Sequence, residues 1–363
     1  MKTEYNVFLT GEIKVSNETK KQLEPQDFYP LLLSGRHIAY RRGFYGQGIK
    51  IAVLDTGVDS THPEIKDNIV EVLNYTDMRT GEDDSGHGTH VCGTLVGKTV
   101  GIAPQAKIVS ARVLTPMGGD VNWLIAALND ISKRKDIDIV SMSLSTTFSE
   151  ARWYQKEALH KAIKACTDNN IAVICASGNT GKESELYPAC FQEPITVGAI
   201  DKNKNVAYFS TRSNEVDVCQ VGVNVWSAKA GGGYCTMSGT SMATPIVTGI
   251  AALIASEYKI KFGKRIPEMV LYEMLKMATI DLEEAGVDSK TGAGLCTLNK
   301  NYTEVKMYIG NKNYYIDGQL QKMDTVPIID GNNRTLVPPR FEAEARGIEV
   351  EWNFKEKSVT TRG

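Results

Sequence analysis

Short apolar runs alternate with longer amphipathic segments between about residue 48 and residue 280. The short runs are rich in Val and Ile, as is typical of buried strands: Ile49–Leu54, Ile108–Val113, Ile137–Met142, Ile171–Ala176 and Ile195–Ala199. The longer segments have helical spacing: Trp123–Ile131, Ala158–Ala165, Met242–Ala255 and Glu268–Met277. This alternation predicts an α/β fold of three layers, α/β/α, around a mainly parallel sheet. In such folds, active sites form just beyond the carboxyl ends of the strands.

The pattern changes after about residue 302, where turn signals separate short strand candidates. These candidates are Val305–Ile309, Tyr314–Ile316, Ile348–Trp352 and Ser358–Thr361, with one short helix predicted at Phe341–Arg346. We therefore predict three parts: an N-terminal extension over residues 1–28, a large α/β domain over 29–302 and a small, mostly-β domain over 303–363.

Composition excludes some functions without indicating one. The formal net charge of -2 and the pI near 6.3 give no basic surface for nucleic acid or for an acidic membrane. No apolar run approaches the length of a membrane span. The first residues lack the basic and then apolar pattern of a secretory signal peptide. We therefore expect neither a nucleic-acid partner nor a membrane partner.

The cysteines give an expectation about location. The seven are odd in number and scattered, mostly within apolar segments: Cys92, Cys166, Cys175, Cys190, Cys219, Cys235 and Cys296. Reduced packing thiols in a cytoplasmic protein fit this distribution better than a disulfide framework does. We therefore expect a cytoplasmic location.

Three segments carry residue types suited to nucleophilic catalysis. Asp55 follows an apolar run, where a carboxylate needs a hydrogen-bonding partner, while His87 and Ser241 each begin a predicted helix. A serine hydroxyl is a poor nucleophile at neutral pH, so it needs an adjacent base. That base in turn needs a carboxylate to fix its tautomer. Each segment alone is also typical of a turn or a helix start, but together they predict an Asp-His-Ser triad.

The strings Val53-Leu-Asp-Thr-Gly-Val-Asp, His87-Gly-Thr-His-Val and Gly239-Thr-Ser-Met-Ala-Thr-Pro resemble the three signatures of the subtilase family of serine proteases. The similarity extends over roughly residues 30–300. The order Asp, His, Ser along the chain is also that of subtilisin.

This resemblance implies a serine endopeptidase that works through an acyl-enzyme intermediate on polypeptide substrates. Ser241 would be the nucleophile, His87 the general base and then acid, and Asp55 its orienting carboxylate, while His90 would be structural. Asn179, in Ala176-Ser-Gly-Asn-Thr-Gly, resembles the oxyanion-hole residue of the family. Its amide and the Ser241 backbone N–H would bind the oxyanion, although Asn179 alone is also typical of a turn.

In the family, an extended substrate pairs as a strand between two segments of the enzyme. The resemblance implies substrate contacts at Gly118, Gly119, Ser143, Leu144, Ser145, Ala176, Ser177, Gly178 and Leu186. Ser145 stands where glycine is usual, and Leu186 stands at a normally small position at the base of the first specificity pocket. We therefore expect a restricted pocket.

No cofactor is expected to be required. Family members often carry a calcium-binding loop after the histidine helix, but here residues 91–104 run on without that insertion. Calcium takes six or more oxygen ligands, which this stretch lacks, so we expect that site to be absent. Weaker calcium binding stays open. A zinc site at His87, His90 and Cys92 fits no common spacing.

The strings Met307-Tyr-Ile-Gly-Asn-Lys and Asn333-Arg-Thr-Leu-Val-Pro-Pro-Arg resemble the copper amine oxidase N-terminal-like domain, an accessory unit of bacterial surface proteins. No His or Cys follows Cys296, so the ligands that copper favours are missing and no copper role is implied. We expect this domain to bind a partner or to pack on the protease. Its usual setting keeps a surface or extracellular location open.

Residues 1–28 are too few for the folded propeptide of secreted relatives. Intracellular relatives carry short extensions that block the active site, so one hypothesis is that residues 1–28 occupy the cleft until the enzyme cleaves them. An ordered strap or a loose tail is the alternative. For the whole chain, the main alternative is a catalytically silent scaffold or binding protein. A metal-dependent hydrolase using His87 and His90 is a more distant one.

Overall fold

The structure, a computed structural model, describes the strand at residues 7–9, residues 29–299 and seven strands beyond residue 299. The chain divides into two compact units, residues 1–298 and 299–363. The predicted domain limits at residues 28 and 302 stay predictions. The helix predicted at Phe341–Arg346 and most of the extension 1–28 lie outside the described residues.

The first unit is built on a nine-stranded sheet within the described residues. In chain order, the strands of this unit are β1 (Val7–Leu9), β2 (Lys50–Asp55), β3 (Ile69–Asn74), β4 (Lys107–Arg112), β5 (Ile139–Met142), β6 (Leu144–Thr146), β7 (Ala172–Ala176), β8 (Ile195–Ile200), β9 (Val218–Val221), β10 (Val225–Ala228), β11 (Tyr234–Met237), β12 (Thr279–Ile280) and β13 (Leu295–Cys296). The order in the large sheet is β12-β13-β9-β8-β7-β5-β2-β4-β3. All neighbours are parallel except the pair β12–β13.

Helices cover both faces of this sheet. They are α1 (Tyr29–Ser34), α2 (Arg36–Arg41), α3 (His87–Val96), α4 (Val121–Ser132), α5 (Trp153–Asp168), α6 (Thr240–Phe262) and α7 (Glu268–Met277). Successive strand residues point to opposite faces, so Val53 packs in the cluster that contains α3 and α6, and Leu54 in the cluster that contains α4 and α5. The predicted three-layer α/β/α fold is therefore confirmed. None of these helices combines the length and the apolar character needed to span a bilayer.

The second unit is described through its strands alone. They are β14 (Glu304–Tyr308), β15 (Asn313–Ile316), β16 (Gln319–Lys322), β17 (Ile328–Ile329), β18 (Thr335–Leu336), β19 (Glu349–Asn353) and β20 (Ser358–Arg362). Five of them form an antiparallel sheet in the order β16-β15-β14-β20-β19, and β17 pairs with β18. The mostly-β character predicted for this region is confirmed.

Candidate active site

Three segments with catalytic residue types reach the same edge of the large sheet. β2 ends at Asp55, Ser143 directly follows β5, and Asn179 lies three residues beyond the end of β7. These strands are neighbours and parallel, so their carboxyl ends lie side by side. β2 lies between β4 and β5 in the sheet, and the chain passes from β2 through β3 and β4 on one side of β2 to β5 on the other. This reversal of strand order is where α/β folds form a binding crevice.

Asp55 and His87 form a buried pair. The distance from His87 Nδ1 to Asp55 Oδ1 is 2.7 Å, and each side chain is 1% exposed. Burial alone lowers the pKa of His87. The charge and hydrogen bond of Asp55, with the charge of Asp83, outweigh burial and raise that pKa above its usual value. With Nδ1–H donating to the carboxylate, Nε2 is left as the atom that can accept a proton.

Ser241 is fixed by the first turn of α6 and by the end of β5. Pro245 has no N–H, so the Ser241 carbonyl lacks the helical donor that a residue four positions later normally supplies. The Ser143 hydroxyl donates to that carbonyl at 2.9 Å. The Ser241 hydroxyl in turn donates to the Ser143 carbonyl at 3.1 Å. The candidate nucleophile is therefore held next to β5.

The structure records no hydrogen bond between the Ser241 hydroxyl and the His87 ring. Among the described residues, His87 Nε2 is buried without a hydrogen-bond partner. Catalytic hydrogen bonds are often long or unformed before substrate binds. Ser241 and His87 are 0% and 1% exposed, so the site is closed to solvent in this state.

Asn179 presents an unpartnered donor beside Ser241. Its Oδ1 accepts hydrogen bonds from the Thr240 backbone N–H at 3.0 Å and from the Thr240 hydroxyl at 3.1 Å. Its Nδ2 is buried, with no hydrogen-bond partner in the described part of the chain. Buried donors are almost always satisfied in folded proteins, so this amide calls for an acceptor that is not among the described residues.

The segments predicted to hold substrate line the same edge. Leu144 and Ser145 lie in β6, which follows β5 after Ser143. β1 pairs antiparallel with β6, with Phe8 opposite Ser145 and Leu9 opposite Leu144. The edge of β6 is therefore occupied by a segment of the chain's own N-terminal region.

A second group of predicted residues follows β7. Ala176 ends this strand, Ser177 has a buried hydroxyl without a partner in the described residues, and Gly178 adopts φ +106. A Cβ added at Gly178 would collide with the side chain of Leu186, which is 8% exposed. The Leu186 side chain therefore fills the space against the Gly178 backbone.

Gly118 and Gly119 lie in a separate turn after β4. Thr115 and Gly118 exchange two backbone hydrogen bonds there, at 2.8 and 3.0 Å. Gly118 has φ +109, and a Cβ at Gly119 would collide with the Val113 carbonyl, so the backbone needs glycine at both positions.

The sequence motifs do not include Arg112, a buried residue that holds the loop before α3. This guanidinium ends β4 and is 1% exposed. It donates to Asp84 Oδ1 and to the Glu82 carbonyl, both at 2.6 Å, and so anchors the loop that leads into α3. The available signal was a charged residue at the end of an apolar strand.

His90 and Cys92 lie in α3, a helix whose residues are all buried. His90 Nε2 lies 3.0 Å from the Val225 carbonyl, and burial lowers the pKa of His90 to about 3. Burial also raises the pKa of Cys92 well above its usual value, and the charges of Asp55 and Asp83 add to this. Within the described residues, no group of three or more His, Cys, Asp or Glu side chains could hold a metal ion.

Comparison with known proteins places this site in context. The model of the subtilase family matches residues 46–294, and the model of the copper amine oxidase N-terminal domain matches residues 279–361. Both resemblances seen in the sequence are therefore confirmed.

Individual relatives agree with the family match. The chain is 40% identical to an intracellular serine protease of Paenibacillus polymyxa over 253 residues, which cover 65% of this chain and 76% of the relative. It is 35% identical to the major intracellular serine protease of Bacillus subtilis (strain 168) over 272 residues, covering 70% and 82%. It is 36% identical to Subtilisin BL of Lederbergia lenta over 222 residues, covering 60% and 79%.

Proposed function

Because the chain belongs to the subtilase family and is a subtilisin-like serine endopeptidase, we propose that Asp55, His87 and Ser241 are its catalytic triad. The observation that carries the proposal is the buried contact of 2.7 Å between His87 Nδ1 and Asp55 Oδ1, which leaves Nε2 free of partners among the described residues. Such an imidazole is oriented and ready to act as a general base.

The reaction proceeds in two halves. The Ser241 hydroxyl rotates from the Ser143 carbonyl to His87, gives its proton to Nε2 and attacks the scissile carbonyl carbon. Asp55 stabilises the imidazolium that forms. His87 then protonates the leaving amine, which departs and leaves an acyl group on Ser241. Water, activated by His87, hydrolyses this acyl-enzyme and restores the hydroxyl.

Asn179 and the Ser241 backbone N–H bind the oxyanion of each tetrahedral intermediate. The support is the buried Asn179 Nδ2, which has no partner among the described residues, on a side chain whose Oδ1 is tied to Thr240, the residue before Ser241. A donor fixed in this way needs no reorganisation when negative charge develops.

Polypeptide substrates pair with the edge of β6, through Ser143, Leu144 and Ser145, opposite the turn at Gly118 and Gly119. Ala176, Ser177 and Gly178 form the wall of the first specificity pocket, and Leu186 fills its base. The close approach of Leu186 to Gly178 supports a pocket that favours small side chains before the scissile bond.

The N-terminal extension inhibits the enzyme until it is removed, by self-cleavage. The antiparallel pairing of β1 with β6 supports this, because β1 then occupies the edge that a substrate would use. The full chain is expected to be slower on peptides than a chain that begins at Tyr29, and N-terminal sequencing after incubation should find a cleaved product. Equal activity from an intact, unprocessed chain would contradict inhibition.

The mechanism requires no cofactor, since every proton transfer uses His87 and every charge meets a residue of the chain; weak calcium binding remains compatible with it. Activity is therefore expected to survive a chelator. The cytoplasm is the proposed location, because two of the relatives are named intracellular proteases and all seven cysteines are free.

The proposed function is tested by cleavage of casein and of a peptide library. The wild-type chain and Ser238→Ala should both cleave, whereas Ser241→Ala should fold and lose cleavage. Ser238 is a matched control because it lies three residues earlier and hydrogen-bonds Asn224. A folded wild-type chain that cleaves nothing, before or after removal of residues 1–28, would support the silent-scaffold alternative.

A further inference from the structure

The carboxylate of Asp83 accepts five hydrogen bonds, all from groups that flank the Asp55–His87 pair. Its Oδ1 accepts from the Thr56 hydroxyl at 2.8 Å and from the backbone N–H groups of Ser85 and Gly86 at 3.0 and 2.8 Å. Its Oδ2 accepts from the Thr89 backbone N–H at 2.8 Å and from the Thr89 hydroxyl at 2.6 Å. Asp83 therefore links the end of β2 to the beginning of α3.

One route from Asp83 leads to Asp55 through Thr56, which is fully buried. The Thr56 hydroxyl donates to Asp83 and accepts from the Gly88 backbone N–H at 2.9 Å. The Thr56 backbone N–H donates to Asp55 Oδ1 at 2.7 Å, the same oxygen that His87 Nδ1 contacts. The position of Thr56 thus bears directly on the Asp55 oxygen that orients the imidazole.

The other route leads to His87 through the first turn of α3. Gly86, the residue before this helix, has no side chain that could cap it, and its φ is +89. Asp83 instead accepts from the N–H groups of Gly86 and Thr89, on either side of His87. A carboxylate at this position satisfies helix-start donors and interacts favourably with the positive end of the helix dipole.

We propose that Asp83 is a positioning residue of the active site, which holds the His87 ring against Asp55 through Thr56 and the first turn of α3. This inference rests on the proposed function, because it assigns Asp83 a part in keeping the proposed triad assembled.

The charge of Asp83 acts in the same direction as its hydrogen bonds. Asp55 and Asp83 are the negative groups that favour protonated His87, and His90 on the same helix stays neutral. β10 and residues Thr240–Ala255 of α6 carry no acidic or basic side chain. Arg112 of β4 is paired with Asp84. Removing the charge of Asp83 should therefore lower the pKa of His87.

Asparagine cannot replace this carboxylate. All five partners of Asp83 act as donors towards it, and two of them bind Oδ2. In Asp83→Asn, one oxygen becomes an NH2 group that faces either the Thr89 N–H or the donors at Oδ1. The variant keeps the size of the side chain while losing acceptors and charge.

The experiment compares Asp83→Asn with Asp77→Asn in the full chain. Asp77 is a matched control because it is exposed, precedes the same helix and carries the same charge. The readouts are kcat/KM against pH once residues 1–28 have been removed, the pKa of His87 from NMR titration, and the melting temperature. A misplaced catalytic group lowers the rate by up to about 100-fold. We therefore expect kcat/KM of Asp83→Asn to fall by up to about 100-fold. The pKa of His87, and the acidic limb of the profile of kcat/KM against pH, should both move to lower pH. Asp77→Asn should show none of these changes.

A folded Asp83→Asn chain with wild-type kcat/KM and an unchanged His87 pKa would overturn the proposal. If Asp83→Asn does not fold, Thr56→Val and Thr56→Ser decide instead. The valine variant should lose activity and the serine variant, which keeps the hydroxyl, should retain it; equal activity overturns the proposal. An inactive wild-type chain would instead contradict the proposed function. The NMR comparison requires no activity and would still decide whether Asp83 controls His87.

Discussion

Ser143 and Ser241 exchange two hydrogen bonds, in which each hydroxyl donates to the main-chain carbonyl of the other residue, at 2.9 and 3.1 Å. The pair joins the end of β5 to the first turn of α6, two segments separated by 98 residues in the sequence. The exchange directs the Ser241 hydroxyl towards the Ser143 carbonyl, so the proposed mechanism requires that hydroxyl to turn towards His87 before it gives up its proton.

Ser143→Ala should destabilise the fold, because it removes the donor to the Ser241 carbonyl beside Pro245. Loss of one buried hydrogen bond typically costs about 1 kcal/mol. Urea unfolding of the inactive Ser241→Ala background measures this free energy without self-cleavage. An unchanged midpoint and slope would contradict a structural role for the exchange.

Asn179→Asp tests the donor of the Asn179 side chain separately from its acceptor. The variant keeps an acceptor for Thr240 but replaces the NH2 donor with a second oxygen. We expect kcat to fall by about 10²- to 10³-fold, the effect of removing the equivalent donor in subtilisin, with little change in KM. Steady-state kinetics on one peptide substrate measure both constants. A wild-type kcat in the folded variant would exclude Asn179 from the oxyanion hole.

Leu186→Ala should widen the first specificity pocket, because the wild-type side chain packs against the Gly178 backbone. A difference of one methylene group in an apolar pocket changes discrimination by about 10- to 200-fold. Peptides with Phe before the scissile bond should therefore gain at least about tenfold in kcat/KM relative to peptides with Ala. Unchanged preference in a peptide library would place Leu186 outside the pocket.

His90 should make the fold sensitive to acid. Its pKa is lowered to about 3 in the folded chain, so below its usual pKa of 6.5 the unfolded state binds a proton that the folded state does not. Stability is therefore lost as pH falls below 6.5. Between pH 6.5 and 4.5 this single group contributes about 2 kcal/mol of that loss.

His90→Gln removes this titration and keeps a side-chain N–H that can reach the Val225 carbonyl. Both chains carry Ser241→Ala to prevent self-cleavage. Urea unfolding at pH 6.5 and 4.5 should show that the free energy of unfolding falls less with acid in the His90→Gln chain than in the chain that keeps His90. An equal loss in both chains would show that His90 is not protonated on unfolding.

The α/β fold could be predicted because its central strands are continuous apolar runs. β3 was missed because it lies at the edge of the sheet, where every second residue is exposed and no apolar run forms. β9 was missed because Gln220 interrupts its apolar pattern. This side chain is fully buried and donates to the Cys296 carbonyl at 2.7 Å, a partner that only the tertiary structure supplies.

The candidate site likewise has residues that the sequence indicates and one that only the structure reveals. Asp55, His87 and Ser241 stand in strings that resemble the family signatures, whereas Asp83 is one of three consecutive acidic residues that the sequence does not distinguish. Glu82 binds Ser60, Asp84 binds Arg112, and Asp83 alone of the three caps the start of α3. These three partners come from different parts of the chain, so local pattern cannot assign them.

The most direct test of the triad is covalent labelling with a fluorophosphonate, followed by mass mapping of the labelled peptide. The chain freed of residues 1–28 should carry one adduct, on Ser241. That adduct should be absent in Ser241→Ala, form far more slowly in His87→Ala and form normally in Ser238→Ala. A folded chain that gives no adduct, or gives one on a different serine, would contradict the account.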